Sequence, residues 1–101
     1  MQLKPGLRLE SATCDTQVVV VKAPQDGDVD VRCGGEPMRE VGAGGDRLPI
    51  SVAGDATLLG KRYAVDDLGL ELLCSKGGDG TLSVGDQPVG IKGSKPLPSS
   101  D

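Results

Sequence analysis

The chain has 101 residues, a net charge of −4, no histidine, and a single aromatic residue, Tyr63. A chain of this size buries only roughly 60–65% of its unfolded surface, and without Trp or Phe its core must be aliphatic, built mainly from Val and Leu. The charge balance, with no basic run longer than Lys61-Arg62, excludes the electrostatic footprint of a nucleic-acid binder, and no apolar run approaches the roughly 20 residues that span a bilayer.

Sixteen glycines and seven prolines predict short strands joined by many turns, an all-β protein. Met1 to Arg8 is a lead-in that does not form a signal peptide, with Lys4-Pro5-Gly6 as a turn and Leu7 and Leu9 suggesting a short edge strand. Gln17 to Val21 is the first strand, and its four consecutive valines suggest burial on both faces. After the turn at Ala23-Pro24-Gln25-Asp26-Gly27, residues Val29, Val31 and Cys33 alternate with Asp28, Asp30 and Arg32, the period of a half-buried strand. A knuckle, Gly34-Gly35-Glu36-Pro37-Met38, closes this first unit.

Gly42, Gly44 and Gly45 mark a connector, in which Leu48-Pro49-Ile50-Ser51-Val52 reads as an edge strand because Pro49 lacks the donor a central strand needs. The first pattern then recurs. Gly69 to Cys74 is a strand, Gly77-Gly78-Asp79-Gly80 a turn, Thr81 to Val84 a strand and Gly85-Asp86-Gln87-Pro88-Val89 a knuckle. With three residues dropped from the loop, Lys22 falls on Lys76, Gly27 on Gly78, Asp28 on Asp79, Gly34 on Gly85 and Pro37 on Pro88. The organisation expected is a first unit over residues 1–40, a connector over 41–61, a second unit over 62–91 and a disordered tail over 92–101. A turn is expected at Asp66-Asp67-Leu68.

The unit resembles the desulforedoxin family, whose pattern is an aromatic residue, Cys-x-x-Cys-Gly, a strand, a Gly-rich turn, a strand and a Cys-Cys-Gly-x-x-Met knuckle, with four cysteines holding iron. The second unit matches from Tyr63 to Val89, with Val65, Leu68, Val84 and Gly85 at the ligand positions. In the first unit Leu9 replaces the aromatic residue, while Ser11, Cys14, Cys33 and Gly34 stand at those positions. The resemblance implies two desulforedoxin-like antiparallel units packed as a pseudo-dimer, with the metal site degenerate. It also implies that Val65, Leu68 and Val84 converge on one apolar cluster in place of the metal, and that both sulfurs of the first unit sit together.

Three readings of Cys14 and Cys33 stand open: packed thiols without a task, a labile disulfide, or a metal, iron or zinc, completed by Ser11, Asp15 or a partner's residue. An odd number of cysteines, sparsely spaced, fits a reducing cytoplasm. Because no nearby His, Lys or Arg in sequence is expected to lower either thiol's pKa enough to make it a fast redox centre, both thiols are expected to be unactivated, and Asp15 as a neighbouring carboxylate raises a thiol pKa. Cys74 is expected to be a small core residue. No catalytic residues, cofactor or enzymatic activity are therefore expected. The function expected is a small accessory or protein-interaction subunit that binds a protein partner, with a homodimer possible; the alternative is a metal-binding or thiol-redox protein using Cys14 and Cys33.

Overall fold

The computed structural model describes residues 2–25 and 27–92, so the greater part of the tail expected over 92–101 lies outside the described residues. The protein is all-β. Its strands are β1 (Arg8–Glu10), β2 (Gln17–Lys22), β3 (Val31–Cys33), β4 (Glu36–Pro37), β5 (Arg39–Glu40), β6 (Arg62–Val65), β7 (Leu70–Lys76), β8 (Leu82–Val84), β9 (Gln87–Pro88) and β10 (Gly90–Ile91). They form a six-stranded antiparallel sheet ordered β10-β6-β7-β2-β1-β5 and a four-stranded one ordered β4-β3-β8-β9. Among the described residues no helix is long and apolar enough to cross a membrane.

Both strand orders are symmetric about their centres, and the pairings of the second half repeat those of the first residue for residue. Leu9 pairs with Val18 as Tyr63 pairs with Leu72; Glu10 pairs with Arg39 as Ala64 pairs with Gly90. The central contacts are reciprocal. Across β2 and β7, Gln17 faces Lys76 and Lys22 faces Glu71, while across β3 and β8, Val31 faces Val84 and Cys33 faces Leu82, on either side of the pair Arg32–Ser83. Each half thus supplies the strand that the other half's sheet needs at its open edge, and neither central edge is left unpaired.

The core lies between these sheets and is aliphatic, with Leu9, Val18, Val20, Leu70, Leu72 and Leu82 fully buried and Cys74 among them. Tyr63 is buried, and its hydroxyl accepts a hydrogen bond from the Leu58 N–H at 2.9 Å. One charge is also enclosed: the Glu71 carboxylate accepts from Lys92 and Arg62, and the Lys92 contact, ahead of the cost of burial, holds it below the usual carboxylate range.

Four expectations are corrected. β1 is not an edge strand, because β5 pairs along its outer side. The valines of β2 are not closed in on both faces: Val18 and Val20 are buried, Val19 and Val21 only half-buried. Residues 48–52 form no strand and instead run as a strap over the first knuckle, the N–H groups of Ser51 and Val52 both donating to the Gly34 carbonyl and that of Leu48 to Ala12. Leu68 is not a plug for a vacated metal position. It ends a one-turn 3-10 helix (Asp66–Leu68) closed by Gly69 in the left-handed region (φ 67°), and is 39% exposed.

Candidate functional site

The loop between β1 and β2, residues 11–16, is held in place by its own short polar side chains. Ser11 N–H donates to the Thr16 carbonyl at 2.8 Å, and Ser11 Oγ accepts from the backbone N–H groups of Thr13 and Cys14 at 3.0 and 3.2 Å. Side-chain oxygens that capture nearby backbone donors in this way stabilise tight, non-repetitive turns. Thr13 Oγ1 donates to the Cys33 carbonyl at 3.1 Å, tying the loop to the end of β3. Ser11, Thr13 and Thr16 are all buried, as buried hydroxyls can be when each has a partner.

Those ties bring Cys14 and Cys33 together with their sulfurs 3.8 Å apart and both thiols free. Cys14 is 8% exposed and Cys33 fully buried. The second half of the chain completes the site. Gly80 N–H donates to Cys14 Sγ at 3.3 Å, and a Cβ on Gly80 would lie 2.7 Å from Cys33 Sγ and 3.1 Å from Cys14 Sγ. Gly78 approaches as closely, a Cβ there falling 2.5 Å from Thr16 Oγ1 and 3.0 Å from Cys14 Sγ. This turn is a lid of bare backbone in which glycine is required by proximity, and Thr57 Oγ1 fixes it by donating to the Gly80 carbonyl at 2.7 Å.

The two sulfurs occupy different environments. Burial alone raises the Cys14 pKa, yet hydrogen bonding at Ser11 and Thr16 and the Gly80 N–H outweigh it and bring the thiol from 9.0 down to about 6. Proton accounting explains the direction. As a thiol, Cys14 donates toward Ser11 Oγ at 3.4 Å, an oxygen whose two lone pairs are already engaged by backbone N–H groups. Once the sulfur is ionised, Thr16 Oγ1 at 3.2 Å and Gly80 N–H donate to it, and the Ser11 hydroxyl, whose proton otherwise bonds Thr13 Oγ1 at 3.0 Å, can turn toward it. Cys33 has the opposite fate, pushed up to about 11 chiefly by burial. The expectation that neither thiol is activated is therefore overturned for Cys14: hydroxyls and a peptide N–H do what no neighbouring cation does. Cys74 lies apart from this chemistry, its thiol raised by burial and donating to the Lys76 carbonyl at 3.2 Å.

Cys14 forms part of the wall of a polar cleft of about 390 Å³ whose other walls carry Glu10, Asp15, Arg39, Arg47 and Lys76. Asp15 is exposed and bonded to Arg47 at 2.9 Å, which holds its carboxyl low, so it serves neither as a base nor as a donor turned toward the sulfurs. Four positions carry ligands in the desulforedoxin pattern. Two of them hold the thiols of Cys14 and Cys33, the Ser11 Oγ already accepts two backbone N–H groups, and Gly34 has no side chain; among the described residues no three His, Cys, Asp or Glu side chains cluster. Sequence reasoning found Ser11, Cys14 and Cys33 but missed Thr13, Thr16 and Gly80. The alternation Ser11-x-Thr13-Cys14-x-Thr16 was the available signal. Comparison with family models, curated proteins and solved structures finds no match.

Proposed function

We propose that the protein is a redox-active dithiol: Cys14 is the nucleophilic thiolate, Cys33 the resolving thiol, and the chain cycles between dithiol and disulfide in a reducing cytoplasm. The observation that carries this reading is the asymmetry of two sulfurs in contact, one held low by donors and one held high by burial. In exchange with a small-molecule disulfide, the Cys14 thiolate attacks one sulfur and expels the other as a thiolate. Cys33 then loses its proton, attacks Cys14 and releases the second thiolate, so two electrons and the one proton of Cys33 pass from the pair. The repeated pairings support a scaffold of two desulforedoxin-like units, a pseudo-dimer, whose first unit keeps two thiols without a metal site.

Diamide treatment of the native protein, followed by alkylation and peptide mapping, tests the reading. A Cys14–Cys33 disulfide with Cys74 still alkylated is expected. All three thiols surviving native oxidant, or cross-linking only between chains, overturns it. A second reading, a non-enzymatic interaction subunit with a protein partner, is favoured by one feature: Leu48, Ile50, Val52, Leu58 and Leu59 are exposed along a single connector. The two readings are compatible, since the strap that carries three of these residues is tied to both Ala12 and Gly34, the neighbours of the cysteine-bearing segments.

A further inference from the structure

We infer that Cys14 is a site of oxidation by small hydroperoxides, forming a sulfenic acid that Cys33 resolves; the inference rests on the dithiol reading and names its oxidant. Access is the first ground. Cys14 is 8% exposed, at the edge of a cleft of about 390 Å³, and Cys33 has no exposure at all. A disulfide in a partner protein has to align two substituted sulfurs with the attacking one, which this recess obstructs. A hydroperoxide needs only to present one terminal oxygen.

The surroundings of the sulfur are the second ground. Thr16 Oγ1 lies 3.2 Å and Gly80 N–H 3.3 Å from Cys14 Sγ, so the nucleophile is held by donors fixed before the oxidant arrives. The charged rim is the third. Arg39 and Arg47 share the cleft with their carboxylate partners Glu10 and Asp15, while Lys76, also on the rim, has no ion pair among the described residues. The Lys76 charge, which also acts on Asp15, stabilises the negative charge that develops on the departing oxygen.

The chemistry balances as follows. The Cys14 thiolate attacks the terminal oxygen of ROOH; the S–O bond forms, the O–O bond breaks, and the departing alkoxide takes a proton from solvent to give ROH. Cys33 then gives up its proton and attacks the Cys14 sulfur, at 3.8 Å already in contact. The S–S bond forms, the S–O bond breaks, and the leaving hydroxide becomes water with the proton from Cys33. Two thiols and one hydroperoxide yield one disulfide, one alcohol and one water, with the peroxide reduced by two electrons.

The test uses the full chain with hydrogen peroxide and tert-butyl hydroperoxide, read by thiol loss and by mass spectrometry with dimedone. Wild type is expected to lose two thiols, and Cys33→Ser to trap a single dimedone adduct on Cys14. The rate should exceed that of glutathione at the same pH and should level off above about pH 6, the Cys14 value. Thr16→Val should slow it roughly tenfold at acidic pH, as a one-unit rise in thiol pKa dictates, and Thr16→Ser should restore it. If Cys33→Ser does not fold, the wild-type rate against glutathione decides. Diamide forming the Cys14–Cys33 disulfide while peroxide reacts no faster than with glutathione overturns this inference and leaves the dithiol reading standing. Neither oxidant reacting overturns both.

Discussion

The segments 11–16 and 65–70 occupy corresponding places between the first two strands of each half, and they are built in opposite ways: in the second the ladder runs on through Val65 and Leu70, leaving four residues to turn, while in the first all six lie outside the strands. In the second, Val65 and Leu70 are buried at the ends and Asp66-Asp67-Leu68 make a compact 3-10 turn that leaves Leu68 exposed. In the first, Ser11 and Thr16 replace that buried apolar pair, and their hydroxyls draw the loop inward around Cys14. Identical pairings on either side show that sheet register does not decide how each loop is built. Hydrogen-bonding capacity at the two loop ends does. A buried hydroxyl must find a partner, and in the first loop the partners include the sulfur itself.

The largest effect expected lies in the second loop. Leu70→Ala removes a fully buried side chain and should cost about 2–5 kcal/mol in chemical denaturation. A cost near zero would mean that the apolar loop ends do not anchor the fold. The first loop should answer to pH. Its Cys14 is an acid whose folded pKa, about 6, lies below its ordinary 9.0, so the unfolded chain binds more protons between those values and stability rises through that window. Cys33 has the reverse sign: its pKa rises from 9.0 to about 11, so stability declines between those values. Unfolding free energy should therefore climb from pH 6 to 9, by a few kcal/mol at most, and Cys14→Ser should flatten the climb. An unchanged slope in that variant would show the thiolate to be an ordinary one.

Gly80→Ala should cost about 1–3 kcal/mol, as inserted atoms do in a packed interior, because its Cβ would meet both sulfurs and the Gly34 N within 3.1 Å. It should also slow disulfide formation, whereas Gly90→Ala, with open space around it, should change neither property. A Gly80→Ala protein that matches wild type in denaturation and in thiol loss would remove the lid from the site.

Much of this was legible in the chain. Val29, Val31 and Cys33 alternate and are buried as their period requires, and the resemblance to the desulforedoxin pattern implies the proximity of Cys14 and Cys33 that the fold shows. What escaped detection were features whose cause lies far along the chain. Gly80 reads as one more turn glycine, and only the pairing of β3 with β8 brings it against sulfurs of the other half. Residues 48–52 alternate like a strand, yet the Gly34 carbonyl satisfies two of their N–H groups and leaves no ladder to join. Thr13 and Thr16 look like ordinary loop residues, because nothing local announces that a hydroxyl will be buried. The thiol pKa was misjudged for a related reason: a search along the sequence for cations misses hydrogen-bond donors that arrive through the fold.

The smallest effect expected is at Leu68, and it bears most directly on the comparison between the loops. Leu68 stands where the first half has Cys14, and a fold built from two like units invites the expectation that it fills the corresponding space. At 39% exposed, with Gly69 closing the turn behind it by an N–H bond to Asp66, its side chain has little packing to lose. Leu68→Ala should therefore shift stability by no more than about 0.5 kcal/mol, the range of surface substitutions, beside several times that for Leu70→Ala two residues on. Leu68→Cys extends the contrast. A thiol there should titrate near its ordinary value and react with alkylating reagents like an exposed cysteine, since Val65 and Leu70 offer no hydroxyl where Ser11 and Thr16 do. If that thiol proved acidic, the hydroxyls of the first loop would not be what sets Cys14 apart, and its low pKa would belong to the backbone geometry the two loops share.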